Sequence, residues 1–387
     1  MILQHHLSVE RITDGPKHHF FGYFDKFPWD KSGKRILAQE TAFTARQPVP
    51  GEKAVIGIIE NKVFTPVAET DSWCWQQGCM LQWLNDADNK IIYNDREGDY
   101  FAARILDLST GKTETLCRPI YCLSPDGRRA LSLNFARLDR ERPGYGYPGA
   151  VDPNKDKDHP DDEGIWLVDL KKNKAELVVS YDRLVREFPY EGENNMNGVK
   201  SWVNHILFSP DSRRFAFFHR WRCHTNGGWL THMFTANIDG TDLYPLNLQD
   251  FSSHYTWFAP DRIINYSSRD IAGHQYYDYT DRTGKIDIVG RDVFPGDGHC
   301  SYSSNGKWML TDSYPQPDST RRLYLYDLAG KQAYEIGSFY SDPAYPPPTR
   351  CDLHPNWSRD DRFVCIDSIH EGSRQMYLLD VSGFTRS

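Results

Sequence analysis

No apolar run in this sequence approaches the length of a membrane-spanning helix, so no membrane partner is expected. Basic residues are dispersed and outnumbered, 45 Lys and Arg against 53 Asp and Glu, which leaves no electrostatic footprint for nucleic acid. The N-terminal stretch MILQHHLSVERITDGPKHH has neither a basic n-region nor an apolar h-region. No secretory signal is read there, and a cytoplasmic location is expected. The eight cysteines lack the paired spacing of a zinc ribbon or a disulfide framework. Cys79, Cys122 and Cys365 stand in apolar strand patterns, where reduced thiols pack as small hydrophobes. G-x-G-x-x-G, Walker, G-x-S-x-G and H-E-x-x-H motifs are all absent, which sets aside the chemistries built on them.

What the chain does have is a repeat. One short unit recurs seven times: HFFGYFDKFPWDKSGKR from His19, QGCMLQWLNDADNK from Gln77, IYCLSPDGRR from Ile120, HILFSPDSRR from His205, HYTWFAPDR from His254, HCSYSSNGKW from His299 and HPNWSRDDR from His354. After each turn comes an alternating strand (AVIGIIE, RILDLSTG, IWLVDLKKN, MFTANIDG, YYDYTDRTG, LYLYDLAG, MYLLDVSG), and after six of these a further short strand. A period of about 45 to 50 residues built of short strands marks an all-β fold, a seven-bladed β-propeller in one domain. The seventh blade lacks its last strand at the C-terminus, and LSVERIT near the N-terminus has the length and alternation to supply it. Residues 8 to 13 are therefore expected to pair with the strand at 376 to 381, closing the ring and removing exposed edges. Residues 139–163 and 182–200, rich in Pro, Gly, Asn and charge, read as long loops leaving blade 3 and entering blade 4, either a binding rim or solvated insertions.

The last four copies carry a histidine at one register, four residues before the turn Ser in three of them and one residue farther in the His254 copy. In a propeller the first strand of each blade lines the channel, so His205, His254, His299 and His354 are expected at one height on four consecutive blades. Converging neutral imidazoles suit a divalent ion such as zinc (Zn) or manganese (Mn), with one face left open to the channel. The alternative is a set of hydrogen-bonding groups that fasten blades together. Trp75, Gln76 and Gln77 open the inner strand of blade 2 and are expected at the same mouth, the glutamines suiting sugar hydroxyls. His19, beside His18 at a turn distorted by an insertion, is a further substrate-side candidate. Arg222, Arg269 and Arg46 are candidate carboxylate clamps, with a solvated surface role as the alternative for each. His219 and Arg220 are expected farther from the axis. The aromatic content of 14%, with 11 Trp and 22 Tyr, fits half-buried strands, with any surplus near a pocket suiting sugar rings. Asp211, Asp261 and Asp360 sit in the repeated turns and read as turn residues rather than a glycosidase pair.

The series GHCSYSSNGKWML and CDLHPNWSRDDRFVCIDS resembles the oligogalacturonate lyases, and WCWQQGCMLQWL, IYCLSPDG and RPGYGY resemble seven-bladed ulvan lyases. The resemblance covers the whole chain in architecture and is specific only near the histidines. It implies β-elimination in a uronate-rich oligosaccharide or polysaccharide, assisted by a divalent metal. Onto the oligogalacturonate lyase ligand set fall His299 and His354, while its glutamine and its further histidine fall near Thr349 and Asp352, so Asp352 is implied as a carboxylate ligand. The arginine that serves those enzymes as base falls at His232, which leaves the base open. The ulvan lyase pattern of a Tyr and an Arg falls on Tyr121 and Arg137, with an interior strand residue and a blade-edge ion-pair partner as the alternatives. Galacturonate, glucuronate and iduronate all stay open as the sugar. A non-catalytic TolB- or WD-like propeller that offers its funnel to a sugar or protein partner is the second class of function, and a propeller hydrolase the third.

Overall fold

The computed structural model of the protein describes residues 2–85 and 89–386. Seven antiparallel sheets follow one another along the chain. Blade 1 begins with His18–Phe20 and blade 2 with Gln82–Asn85; the first strands of blades 3 to 7 are Cys122–Leu123, Ser201–Phe208, Ser252–Ala259, Ser301–Tyr302 and Asn356–Trp357. The fold is a seven-bladed propeller. Its apolar core is divided among the gaps between neighbouring blades. Ala216, Phe218 and Met233 of blade 4 meet Tyr255, Ile263 and Tyr277 of blade 5, and Leu310 and Leu325 of blade 6 meet Val364 and Leu379 of blade 7. Successive residues of the central strands are buried, as along Arg214–Arg222, so apolar side chains stand on both faces of these sheets and no blade covers its own surface without its neighbours.

The ring closes as the sequence pattern predicts. Val9–Arg11 pairs antiparallel with blade 7, Val9 opposite Leu379 and Arg11 opposite Tyr377. A second closure was not foreseen: Ile2–Gln4 adds to blade 6 as a parallel fifth strand, Ile2 opposite Ala333. The terminus is thus stitched across two blades.

The repeated turn is held by its own side chains. Ser209 Oγ donates to Asp211 Oδ1 at 2.7 Å and accepts from the Arg214 N–H at 3.0 Å, and Ser358 and Asp360 repeat the first contact at 2.8 Å. These aspartates are turn residues, as expected. In blade 2 the corresponding DADN turn includes residues 86–88, which lie outside the described residues.

The long insertion at 139–163 requires a correction of place. It lies within blade 3, between Arg129–Ser132 and Gly164–Asp169, and starts on a helix, Phe135–Glu141, capped by the Asn134 side chain on the Arg137 N–H. The segment at 182–200 likewise opens on a helix, Tyr181–Glu187, and then enters blade 4. Among the described residues no helix is long and apolar enough to cross a membrane.

Candidate metal centre at the propeller axis

Between its first and second strands, blade 1 sends residues 21–28 into the channel. Gly22, at φ 140, passes so close to Gln77 that an added Cβ would lie 3.0 Å from its carbonyl oxygen. Tyr23 then fills the axis with no exposed surface. Its ring centroid is 4.9 Å from His354, 5.0 Å from His205, 5.8 Å from His299 and 6.3 Å from His254. Phe24 packs on His254 and His299. Asp25 and Lys26 follow as a buried ion pair at 2.7 Å. Two clefts of about 440 and 340 Å³ flank Asp25–Phe27 at the mouth bearing the repeated turns, so the histidines are cut off from that side. The expected open channel is a plugged one.

The four histidines do converge at one level. His254 and His299 ring centroids are 4.0 Å apart, His299 and His354 4.5 Å, His205 and His254 6.1 Å. His205 and His354 have φ of 49° and 42°, left-handed conformations that non-glycine residues seldom adopt. At His205 the pairing register of blade 4 slips between Asn204 and Leu207. A bulge of this kind re-aims a side chain that regular pleating would place elsewhere.

Their ring nitrogens are not equivalent. His205 Nε2 lies 3.2 Å from the Tyr23 hydroxyl. His254 Nδ1 is 3.0 Å from Asp297, and His299 Nδ1 is 2.9 Å from Asp312. Those carboxylates fix the Nδ1–H tautomer, leaving Nε2 with its lone pair, the arrangement of metal-ligating histidines. The Nε2 atoms of His299 and His354 are buried and have no hydrogen-bond partner. With an oxygen of Asp352 they form a group whose ligand atoms all lie within 4.8 Å of one another. Two histidines and a carboxylate suit manganese or zinc. His205 and His254, both expected as ligands, stand outside this group: one is engaged by Tyr23 and the other lies beside it.

Charge around the triad is unusually ordered. Burial alone would raise the Asp352 carboxyl, but Arg321 at 2.7 Å and Arg350 at 2.9 Å hold it well below the usual carboxylate range. Burial, and then the neighbouring imidazoles, push His299 and His354 well below theirs, so both imidazoles are neutral. Burial raises Asp312 to about 6.

The other expected site residues are placed as follows. Tyr121 is fully buried; its hydroxyl accepts from Gln77 Nε2 at 2.6 Å and from the His205 N–H at 3.0 Å. It holds the His205 bulge and faces no solvent, which matches its interior alternative. Arg137 is buried with its guanidinium on four backbone carbonyls, those of Ser201, Asn154, Lys157 and Asp158. It ties the 139–163 insertion to blade 4, and with no exposed surface its guanidinium is shut off from a substrate carboxylate. Arg137→Ala should therefore cost about 3 kcal/mol or more in urea unfolding and leave metal content unchanged; an equally stable variant would refute this assignment.

His232 pairs across strands with His219, away from the axis, with Asp250 at 3.6 Å; burial lowers it to about 4. Its ring neighbours include Tyr190, Trp221 and Phe234. His19 is buried against Gln375 and Glu40 at the junction of blades 1 and 7. Trp75 donates to the Arg46 carbonyl, and Gln76 to those of Pro348 and Arg350, bracing the segment that carries Asp352. Arg222 packs over Trp202 and Trp229 and bonds the Glu141 carbonyl. Arg46 pairs with Glu52, and Arg269 with Asn247.

Further residues complete the site, Asp352 among them as the resemblance implied. Arg220, expected far from the axis, is buried within electrostatic reach of His205. Tyr145, from the blade 3 insertion, is 6.1 Å from His205, and Tyr314 is 6.1 Å from His254. Asp297 and Asp352 stand two residues before His299 and His354, a repeated D-x-H that was available in the sequence. The excess length of the first repeat copy was the corresponding signal of the plug.

A scan of protein-family models finds no match to the chain, and a search of curated proteins finds none. Solved structures share its fold. An oligogalacturonate lyase in complex with manganese superposes with a TM-score of 0.68 at 15% identity, over 97% of this chain and 93% of that one. The oligogalacturonate lyase of Vibrio parahaemolyticus gives 0.66 at 14% identity, over 97% and 94%. The propeller domain of the Trilobed protease of Pyrococcus furiosus gives 0.54 at 10%, over 90% and 92%. The chain is thus a seven-bladed propeller structurally close to oligogalacturonate lyase, with a buried His–Asp–His group able to hold a metal.

Proposed function

We propose that the protein is a divalent-metal-dependent lyase that cleaves uronate-containing oligosaccharides by β-elimination. One observation carries this: two buried imidazole nitrogens without partners, His299 Nε2 and His354 Nε2, meet the Asp352 carboxylate in a propeller close in structure to a lyase solved with manganese.

The proton on C5 of a uronate is too weakly acidic to leave until the adjacent carboxylate is neutralised. A bound divalent ion supplies that neutralisation as a Lewis acid. The chain's own residues do the rest. Asp312 fixes the His299 tautomer, and Arg321 and Arg350 keep Asp352 ionised. His254, held at Nδ1 by Asp297, is a carboxylate-backed imidazole suited to accept the C5 proton at Nε2. Tyr145 and Tyr314 stand beside this ring system and suit protonation of the departing glycosidic oxygen.

The plug favours a competing reading. With Tyr23 in the axis and the four histidines between 2 and 5% exposed, a bound ion also fits a purely structural fastener in a non-catalytic propeller. Incubating the manganese-loaded protein with oligogalacturonates and oligoglucuronates separates the two. A lyase yields products with the ultraviolet absorbance of a conjugated double bond, and chelation abolishes it. Metal retained with no unsaturated product from any uronide would establish the fastener.

A further inference from the structure

Three first strands carry a tryptophan close before the repeated turn: Trp83 in blade 2, Trp257 in blade 5 and Trp357 in blade 7. Each indole is buried, and two of them are satisfied in the same way, by a carbonyl of the preceding blade. Trp83 Nε1 donates to Pro28 at 2.8 Å and Trp257 Nε1 to Leu207 at 3.2 Å. Trp357 Nε1 has no partner. Blade 7 opens there on the cleft of about 340 Å³ between the plug and the first strands of blades 5 to 7.

Two more residues lining this cleft share that condition. Ser301 Oγ is buried without a partner, and so is Asp25 Oδ2, although Asp25 Oδ1 accepts from Lys26. Buried polar atoms left unpaired are destabilising, and three of them around one cavity call for an occupant. The companion cleft of about 440 Å³ on the other side of the plug has only Asp25 in common with this set. Neither the indole nor the hydroxyl has a hydrogen bond to break in turning toward the cleft.

The chemistry of the three atoms defines what fits. Trp357 Nε1–H only donates and the Asp25 carboxylate oxygen only accepts, so one ligand must offer both an acceptor and a donor. Hydroxyl groups do so, and Ser301 Oγ meets them either way. Charges in the wall are already engaged. Lys26 pairs with Asp25 at 2.7 Å, Asp361 accepts from the Ser304 N–H and hydroxyl, and Arg359 stacks on Phe27 and donates to the Trp29 and Asp30 carbonyls. Phe27, 36% exposed, and Tyr302 add aromatic surface for the apolar face of a ring.

We propose that this cleft is a binding site for one uncharged sugar ring, held by Trp357, Ser301 and Asp25. Its volume stands at the lower end of small-ligand sites, about 300–1,000 Å³. Phe24 lines the cleft and packs on His254 and His299, so the ring is kept apart from the metal centre. The assignment goes beyond the lyase reading and does not depend on it.

NMR of the Trp357 indole N–H in the full chain tests this, the signal being assigned by its loss in Trp357→Phe. The probes are the methyl glycosides of glucose, galactose and mannose, with permethylated glucoside and galacturonate for contrast. At least one neutral glycoside should move the signal downfield and saturably, as a new hydrogen bond does, with manganese or chelator alike. The permethylated ring keeps its acceptors but has no donor for Asp25, and galacturonate sets a carboxylate against Asp25 and Asp361. Each should bind at least about tenfold more weakly, as expected when a hydrogen bond to a charged group is lost. Ser301→Ala should keep the wild-type unfolding midpoint, because its hydroxyl makes no hydrogen bond in the fold, and weaken the best glycoside about two- to tenfold. Trp357→Phe, followed by calorimetry, should weaken it by a similar factor. A signal unmoved by all three neutral glycosides, unaltered affinity in both variants, or an equal response to the permethylated glucoside or to galacturonate would each overturn the site and leave the cleft to water. Unsaturated product, present or absent, bears on the lyase reading alone.

Discussion

Replacing His299 and His354 together with alanine should leave the purified protein without stoichiometric metal and lower elimination by roughly 10³-fold or more, as expected when the group stabilising the developing negative charge is lost. Stability gives a second, independent readout. In the presence of chelator the two imidazoles are buried with unpartnered nitrogens, a condition that itself costs about 1–3 kcal/mol per group. Their removal offsets part of the loss from the cavity left beside Tyr23. The informative quantity is therefore the metal-dependent gain. Manganese at a hundred times its dissociation constant should stabilise the wild type by about 2.7 kcal/mol and the double variant by nothing. Asp312→Asn should behave as a milder version, because it frees the His299 ring without deleting it, with affinity expected to fall about 10- to 100-fold. An identical manganese-induced shift in wild type and double variant would place the metal elsewhere.

The elements that alternation defines were legible before any coordinates. AVIGIIE is the third strand of blade 1 from Ala54 to Glu60, and the N-terminal strand meets blade 7 at the expected residues. Pattern reading works here because each blade has apolar neighbours on both sides. Ile2–Gln4 escaped it because three residues joining a sheet edge through backbone hydrogen bonds carry no periodicity. The histidine register was legible for a similar reason, since repetition alone fixes equivalent heights. What repetition does not report is what lies between the histidines. Tyr23 reaches the axis through an insertion, and an insertion breaks the period that made the rest readable.

The roles of Tyr121 and Arg137 failed on another ground. Their spacing resembled a catalytic pair, but partners decide function. Arg137 is on backbone carbonyls of residues 154–158 and 201, a set no spacing rule reports. The carboxylates at Asp297 and Asp352 were more accessible, because D-x-H recurs in consecutive blades.

Acid should unfold the metal-free protein well above the pH at which ordinary exposed carboxylates lose their charge. Burial, the leading cause in each case, holds His205, His219, His299 and His354 well below the ordinary imidazole value and His232 at about 4. In the unfolded chain the same groups titrate near 6.5. Below that pH the unfolded state takes up five protons that the native state refuses, so stability falls as pH falls. Three carboxyls act in the opposite sense. Burial raises Asp139 and Asp312 to about 6 and Asp367 to about 7, so between pH 6 and 4 the native state holds three protons that the unfolded chain has released. Five against three leaves two, and two protons correspond to roughly 3 kcal/mol per pH unit. Buried His19 and half-buried His18, His159 and His370, lowered chiefly by the same desolvation, steepen the loss. Urea midpoints measured in chelator should therefore drop sharply between pH 6 and 5, and a flat profile would contradict the buried-neutral assignment. His219→Leu with His232→Leu sharpens the test, since both pairs of ring nitrogens lack hydrogen-bond partners. That double variant should lose little or nothing at pH 7, where it removes unpaired polar groups from the interior. Its pH slope should shrink by the two protons those rings contribute, leaving a clearly shallower fall than that of the wild type.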